Sequence, residues 1–185
     1  MATAQKISRL SVEDYLRLEE HSEVRHEYVR GVIHNRPANT ARHNLITIAI
    51  TTALKEHLRG KRHDVFALSM KLRIGDIFYY PDIMVVTEPL DPSVVYQNSP
   101  VLLVEVLSEQ TESRDRLEKL AIYQGVDSVE EYALVAQDNV HIEIYSRTPD
   151  AWVLETLSPG DCVNFKSVGF EAPIEMFYDV YSHHS

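Results

Sequence analysis

Val101-Leu-Leu-Val-Glu-Val-Leu107, with Ile77-Phe-Tyr-Tyr-Pro-Asp-Ile-Met-Val-Val86 upstream of it, decides how this chain is read. The first stretch is almost wholly apolar between Pro100 and Ser108, as in a central strand covered on both faces. Glu105 breaks that pattern, because a carboxylate inside so apolar a strand is costly unless it meets a partner. An ion pair or a ligand role therefore explains Glu105 better than accident. Asp82, at the edge of what reads as the neighbouring strand, is the second carboxylate, although Pro81-Asp82 taken alone is an ordinary turn pair. Two such carboxylates supply the hard oxygen ligands that Mg²⁺ or Mn²⁺ accepts, and a carboxylate-held Mg²⁺ commonly works on phosphate groups.

Elements are legible on both sides of this pair. Downstream, Ser113 offers a cap for a helix over about 114–124 that Gly125 ends. Residues 132–136, 140–145 and 152–157 then read as strands, with Asp138-Asn139 turning between the first two and a last helical turn over 173–178. Upstream, residues 65–74 partly alternate, and Gly75-Asp76 turns them into 77–86 as a hairpin; Pro89, Pro92 and Pro100 mark the loop that follows. Ser11 caps a short helix over about 12–20, and Arg25-His-Glu-Tyr-Val-Arg-Gly-Val-Ile-His34 reads as a hairpin or bulged pair. Asn39-Thr40 caps a long helix whose apolar positions, from Leu45 to Leu58, recur at three- and four-residue steps until Gly60. The order predicts an α/β fold, a central mixed sheet flanked by helices with a βαβ unit around 101–136.

At 185 residues the chain is long enough for one sizeable core, and no low-complexity stretch divides it, so 1–185 reads as one domain. The single cysteine, Cys162, forms no intramolecular disulfide, and the first residues carry no apolar signal core, which points to a soluble protein of a reducing cytoplasm. No apolar run is long enough for a membrane span. Net charge is −10, against a general nucleic-acid coat protein, but residues 1–75 carry +5 and residues 76–185 carry −15. Lys55, Arg59, Lys61 and Arg62, with His57 and His63 among them, form either a phosphate-facing patch or the solvated end of a helix whose dipole favours cations.

Several chemistries lack a sequence basis. None of the six glycines forms a dinucleotide or P-loop pattern. Zinc is disfavoured by one cysteine and by the lack of H-E-x-x-H spacing among nine histidines. Ser108 begins a turn and has no G-x-S-x-G around it.

A hairpin strand with Pro-Asp, a central strand with Glu, then a helix resembles the PD-(D/E)XK superfamily of restriction-endonuclease-like nucleases. Glu27-Tyr-Val-Arg-Gly31, His43 at a helix head, Pro81-Asp82, Val104-Glu-Val-Leu-Ser108, Asp115-x-x-x-Lys119-x-x-x-Tyr123 and Glu131-Tyr132 resemble, in that order, the Uma-type family. The resemblance implies a restriction-endonuclease-like fold and a Mg²⁺-dependent (or Mn²⁺-dependent) endonuclease acting on DNA; an acidic nuclease can engage DNA through a local basic groove, with a homodimer as one arrangement. It also implies that Asp82 and Glu105 hold the metal while a lysine helps position and activate the attacking water. The superfamily's lysine stands two residues after the glutamate, and here that place is Leu107.

Lys119 is the candidate replacement. With Leu117, Leu120 and Ala121 taken as the buried stripe, however, Lys119 lies off it, and a solvent-facing Asp115–Lys119 pair is the alternative. Glu27 either completes the carboxylate set, as the resemblance implies, or pairs at the surface with Arg25 or Arg30. His43 either contacts substrate or a metal-bound water, or is a capping or surface residue. The vacated lysine position and the acidic half keep a rival open: a catalytically inactive nuclease-like fold serving as a DNA-binding or protein-interaction module. A structural α/β domain whose acids balance arginines is the third reading.

Overall fold

The computed structural model describes residues 9–36, 38–87 and 91–179. The order is α1 (Val12–His21), β1 (His26–Val29), β2 (Val32–Asn35), α2 (Ala41–His57), β3 (Asp64–Ala67), β4 (Lys71–Ile74), β5 (Ile77–Tyr79), β6 (Ile83–Val86), β7 (Tyr96–Gln97) and β8 (Pro100–Leu107). A three-part helix follows, here α3: an α turn Glu112–Arg114, a π-helical turn Asp115–Lys119 and an α segment Leu120–Gln124. The chain closes with β9 (Glu131–Ala136), β10 (Ile142–Arg147), β11 (Trp152–Leu157), β12 (Cys162–Phe165) and β13 (Phe170–Pro173), then a 3₁₀ turn at Ile174–Phe177.

The sheets are mixed. A six-stranded sheet runs β11-β10-β9-β8-β6-β3, and within it β8 pairs antiparallel with β6 but parallel with β9. The parallel step requires a crossover, and α3 supplies it, so the expected βαβ unit is present. A second sheet runs β2-β1-β5-β4-β7, and β12 and β13 form a separate pair. The fold is the predicted α/β class.

Both caps on the N-terminal helices form as the sequence suggests: Ser11 Oγ accepts from the Asp14 N–H, and Thr40 Oγ1 from the His43 N–H. Ser113 does not cap α3. Thr111 takes the N-cap position without a side-chain bond, and Ser113 is the second residue inside the helix. The expected hairpin over 65–86 exists, but both arms are broken. Leu68 turns with φ +63°, so β3 joins the large sheet while β4 joins the small one; on the return arm Pro81-Asp82 separates β5 from β6. Backbone in the left-handed region is costly for leucine. It is held by hydrogen bonds, the Leu68 N–H donating to the Asp82 carbonyl and the Leu68 carbonyl accepting from Arg36 Nη1. Of the prolines expected to mark the next loop, Pro89 lies outside the described residues, and Pro100 opens β8.

Strand alternation sorts the core onto two faces of β8. Leu102, Val104 and Val106 pack with Ile46, Ile50 and Leu54 of α2, while Leu103 and Leu107 pack with Tyr123 of α3 and Tyr79 of the small sheet. All eight β8 residues are buried. Glu105 shares the Leu103–Leu107 face and therefore points between the large sheet and α3.

Candidate nuclease site

The buried side of α3 is the reverse of the expected stripe. Leu117 is 70% exposed and Ala121 is exposed, whereas Asp115, Lys119 and Tyr123, at successive four-residue steps, are buried. Asp115 and Lys119 are the first and last residues of the π turn. Such turns recur at functional sites, and an expanded turn here directs two charged side chains into the protein. The solvent-facing Asp115–Lys119 pair is thus corrected: the pair exists, Nζ to Oδ1 at 2.9 Å, but it lies inside.

Lys119 Nζ donates to Glu105 Oε1 at 2.8 Å and stands 3.5 Å from Glu27 Oε1. Tyr123 donates its hydroxyl to the same Glu105 oxygen at 3.4 Å, so both of these contacts fall on Oε1. Glu27, on β1, also pairs through Oε2 with Arg114 and accepts from the Tyr80 N–H at 3.4 Å. It is 4% exposed, and its partner is Arg114 rather than Arg25 or Arg30. Asp82 is gripped from three sides: Arg36 Nη2 meets Oδ1 at 3.0 Å, while His43 Nε2 at 3.0 Å and the Val106 N–H at 2.9 Å meet Oδ2. His43 is neither a cap nor a surface residue; its backbone N–H is capped by Thr40, and its 3% exposed ring faces Asp82.

Glu27, His43, Asp82, Glu105 and Lys119 line one cavity of about 40 Å³, joined by Arg36, Arg114 and Asp115. That volume admits an ion and a few waters rather than an organic cofactor. Its electrostatics follow from crowded carboxylates. Burial pushes the Glu105 carboxyl well above its ordinary value; Lys119 opposes the rise, while Asp115 and Asp82 reinforce it. Burial also disfavours the Lys119 ammonium, but Glu105, Glu27 and Asp115 more than offset it and hold the charge on Lys119. For Asp82, burial raises, yet the His43 hydrogen bond and charge, Arg36 and the Val106 N–H together bring the carboxyl below its usual range.

Two participants carry no sequence signal, and a third is read from the sequence as facing outward. Arg36 carried no motif. Arg114 had only its position beside Asp115. Asp115 itself was signalled by its four-residue step to Lys119 and Tyr123, which marks one helix face but not whether it turns inward. The cluster Lys55, Arg59, Lys61 and Arg62 does not face this cavity, since it lies at the C-terminal end of α2 whereas His43 is in the first turn. Ser108 behaves as a turn residue, its carbonyl accepting from the Thr111 and Glu112 N–H groups.

The model of the Uma2 family, described as "Putative restriction endonuclease", matches residues 12–175. The chain belongs to the Uma2 family. Two proteins of Synechocystis sp., both described as uncharacterized, are similar to this Uma2 chain. One, slr1290, is 30% identical over 174 residues, covering 92% of each chain. The other, sll1609, is 29% identical over 154 residues, covering 80% of this chain and 87% of its own. Among solved structures, a protein of Anabaena variabilis described as a "putative nuclease belonging to DUF820" superimposes with a TM-score of 0.75 at 19% identity, covering 92% of this chain and 98% of that one. At that identity the likeness speaks for the fold: the Uma2 chain has the fold of that protein. No helix among the described residues is long and apolar enough to cross a membrane.

Proposed function

We propose that this Uma2 chain is a Mg²⁺-dependent (or Mn²⁺-dependent) endodeoxyribonuclease, with Asp82 and Glu105 as metal ligands, Glu27 supporting them and Lys119 as the migrated lysine. One observation carries the reading: Lys119 Nζ reaches Glu105 Oε1 at 2.8 Å although Leu107 occupies the usual lysine place. DNA as substrate and a divalent cation as cofactor extend what membership in a restriction-endonuclease-like family implies.

The residues fit such a cation by their chemistry. The cavity offers carboxylate oxygens, the hard donors Mg²⁺ prefers. Burial, reinforced by Asp115 and Asp82 against Lys119, drives Glu105 upward, and Asp115 Oδ1 is buried without a hydrogen bond of good geometry. Among the described residues no three acidic, histidine or cysteine side chains already stand as a ligand set, which accords with Arg36 and His43 occupying Asp82 and Lys119 occupying Glu105. Bound there, the cation would polarise the phosphate and lower the pKa of its water.

The chain's own part is positional and electrostatic. His43 and the Val106 N–H fix Asp82 Oδ2, and Tyr123 and Lys119 fix Glu105. The Lys119 ammonium, kept charged by three carboxylates, offsets charge developing on the attacked phosphate. Water adds to phosphorus, the phosphorus–oxygen bond to the leaving sugar breaks, and a proton returns to that oxygen. A second reading, the inactive DNA-binding or protein-interaction module, is favoured by the Arg36–Asp82 ion pair, which fills one metal-ligand oxygen. Purified protein incubated with Mg²⁺ or Mn²⁺ and duplex, single-stranded or branched DNA separates the two. Nicking lost on Asp82→Ala supports the enzyme, and absence of nicking on every substrate supports the module.

A further inference from the structure

Beyond the C-terminal end of α2, Leu58 caps the helix and Gly60, at φ +77°, lets the chain reverse toward β3. This turn walls a second, open cavity of about 490 Å³, to which Lys55, Arg59, Lys61 and His63 contribute. Lys55, in the last turn of α2, and Arg59, just past the Leu58 cap, are both exposed. Neither has an ion-pair partner among the described residues; Lys61 Nζ lies 2.9 Å from His57 Nε2. Asp64 is the one acid in the lining. The ring nitrogen Nδ1 of His63 is buried and has no hydrogen-bond partner. Cations at a helix C-terminus complement its dipole, which accounts for Lys55 but not for an unpartnered imidazole nitrogen in the same wall. What an oxyanion in the open cavity would meet is the exposed Lys55 and Arg59, unpaired among the described residues.

We infer that this pocket binds a backbone phosphate of DNA at a distance from the cut, which rests on the reading of DNA as the substrate. His43, in the first turn of α2, lines the first cavity and Lys55, in its last turn, lines the second, about 18 Å apart along the helix, so the anchored phosphate is not the one attacked. A chain of net charge −10 thereby meets a polyanion through a local positive pocket rather than through its average charge.

Binding of a fluorescent 20-base-pair duplex, measured by polarisation in EDTA from 50 to 200 mM salt, tests this. Neutralising one phosphate contributes about one to the salt slope, so Lys55→Gln/Arg59→Gln lowers the slope by about one, and wild type loses about four-fold more affinity than the variant across that range. Inorganic phosphate at tens of millimolar competes with DNA on wild type and not on the variant. If the double variant does not fold by circular dichroism, each single variant carries the test with a smaller lowering of the slope. An unchanged slope in folded variants overturns the inference, as does wild type that binds no DNA. Loss of cleavage reading alone, with binding and its slope intact, overturns the enzyme and leaves the pocket standing.

Discussion

Lys119 Nζ and Glu105 Oε1 are 2.8 Å apart, although 14 residues and a change of secondary structure separate them. The π turn at Asp115–Lys119 brings the lysine back over the strand it follows, while Leu107 keeps its side chain in the core. Replacing Lys119 therefore has two consequences. Lys119→Gln is expected to lower DNA cleavage by about 100-fold or more, as when one electrostatic stabiliser of a transition state is removed. It is also expected to cost about 3 kcal/mol of folding stability, because Glu105, Asp115 and Glu27 lose their shared cation. Single-turnover nicking and urea denaturation measure the two effects.

Glu131 offers a stability test away from the cavity. Its buried carboxylate accepts from the Lys166 N–H at 3.1 Å, the Ser167 N–H at 2.9 Å and the Ser167 hydroxyl, fastening the turn between β12 and β13 to the large sheet. Glu131→Gln sets an amide N–H₂ against donors and is expected to destabilise by about 1–3 kcal/mol. Denaturation should show the loss while DNA cleavage at saturating substrate stays at the wild-type rate.

The strap between α3 and β10 carries a pH signature. Burial would raise the Glu143 carboxyl, but the Arg116 hydrogen bond and charge more than offset it, so its folded-state value lies below the ordinary 4.5. A depressed carboxyl contributes stability that is fully present above the unfolded value and is lost as pH falls through the folded one. The stability gap between wild type and Glu143→Gln should accordingly be constant near neutrality and shrink below about pH 4.5. A gap unchanged down to pH 3 contradicts the assignment.

Much of the fold was legible because its signals are local. Ser11 and Thr40 announce the first two helices, the apolar run around Glu105 announces the central strand, and strand β11 has the bounds its residues suggest. The break at Leu68 was not legible, since no proline or glycine marks it and only the hydrogen bonds to Asp82 and Arg36 hold leucine in a left-handed turn. The pair β12–β13 escaped for a related reason: four-residue strands flanking the turn at Gly169 give too short a period to stand out. In α3 the hydrophobic pattern misleads. Leu117 faces water while Asp115 and Lys119 face the interior, because buried carboxylates from two strands outweigh the apolar preference. The candidate site was legible residue by residue at Glu27, Asp82 and Glu105, but Arg36 and Arg114, which complete their ion pairs, are positioned only by tertiary structure.

The most direct test of the account is plasmid nicking against Mg²⁺ concentration for wild type and Glu105→Gln, both verified as folded. Glutamine keeps the shape and an accepting oxygen for Lys119 but removes the charge that would hold the cation. The account predicts saturable, Mg²⁺-dependent nicking by wild type, abolished by EDTA and reduced at least 100-fold in Glu105→Gln. Equal nicking by the two proteins, or nicking by wild type that persists in EDTA, would contradict it.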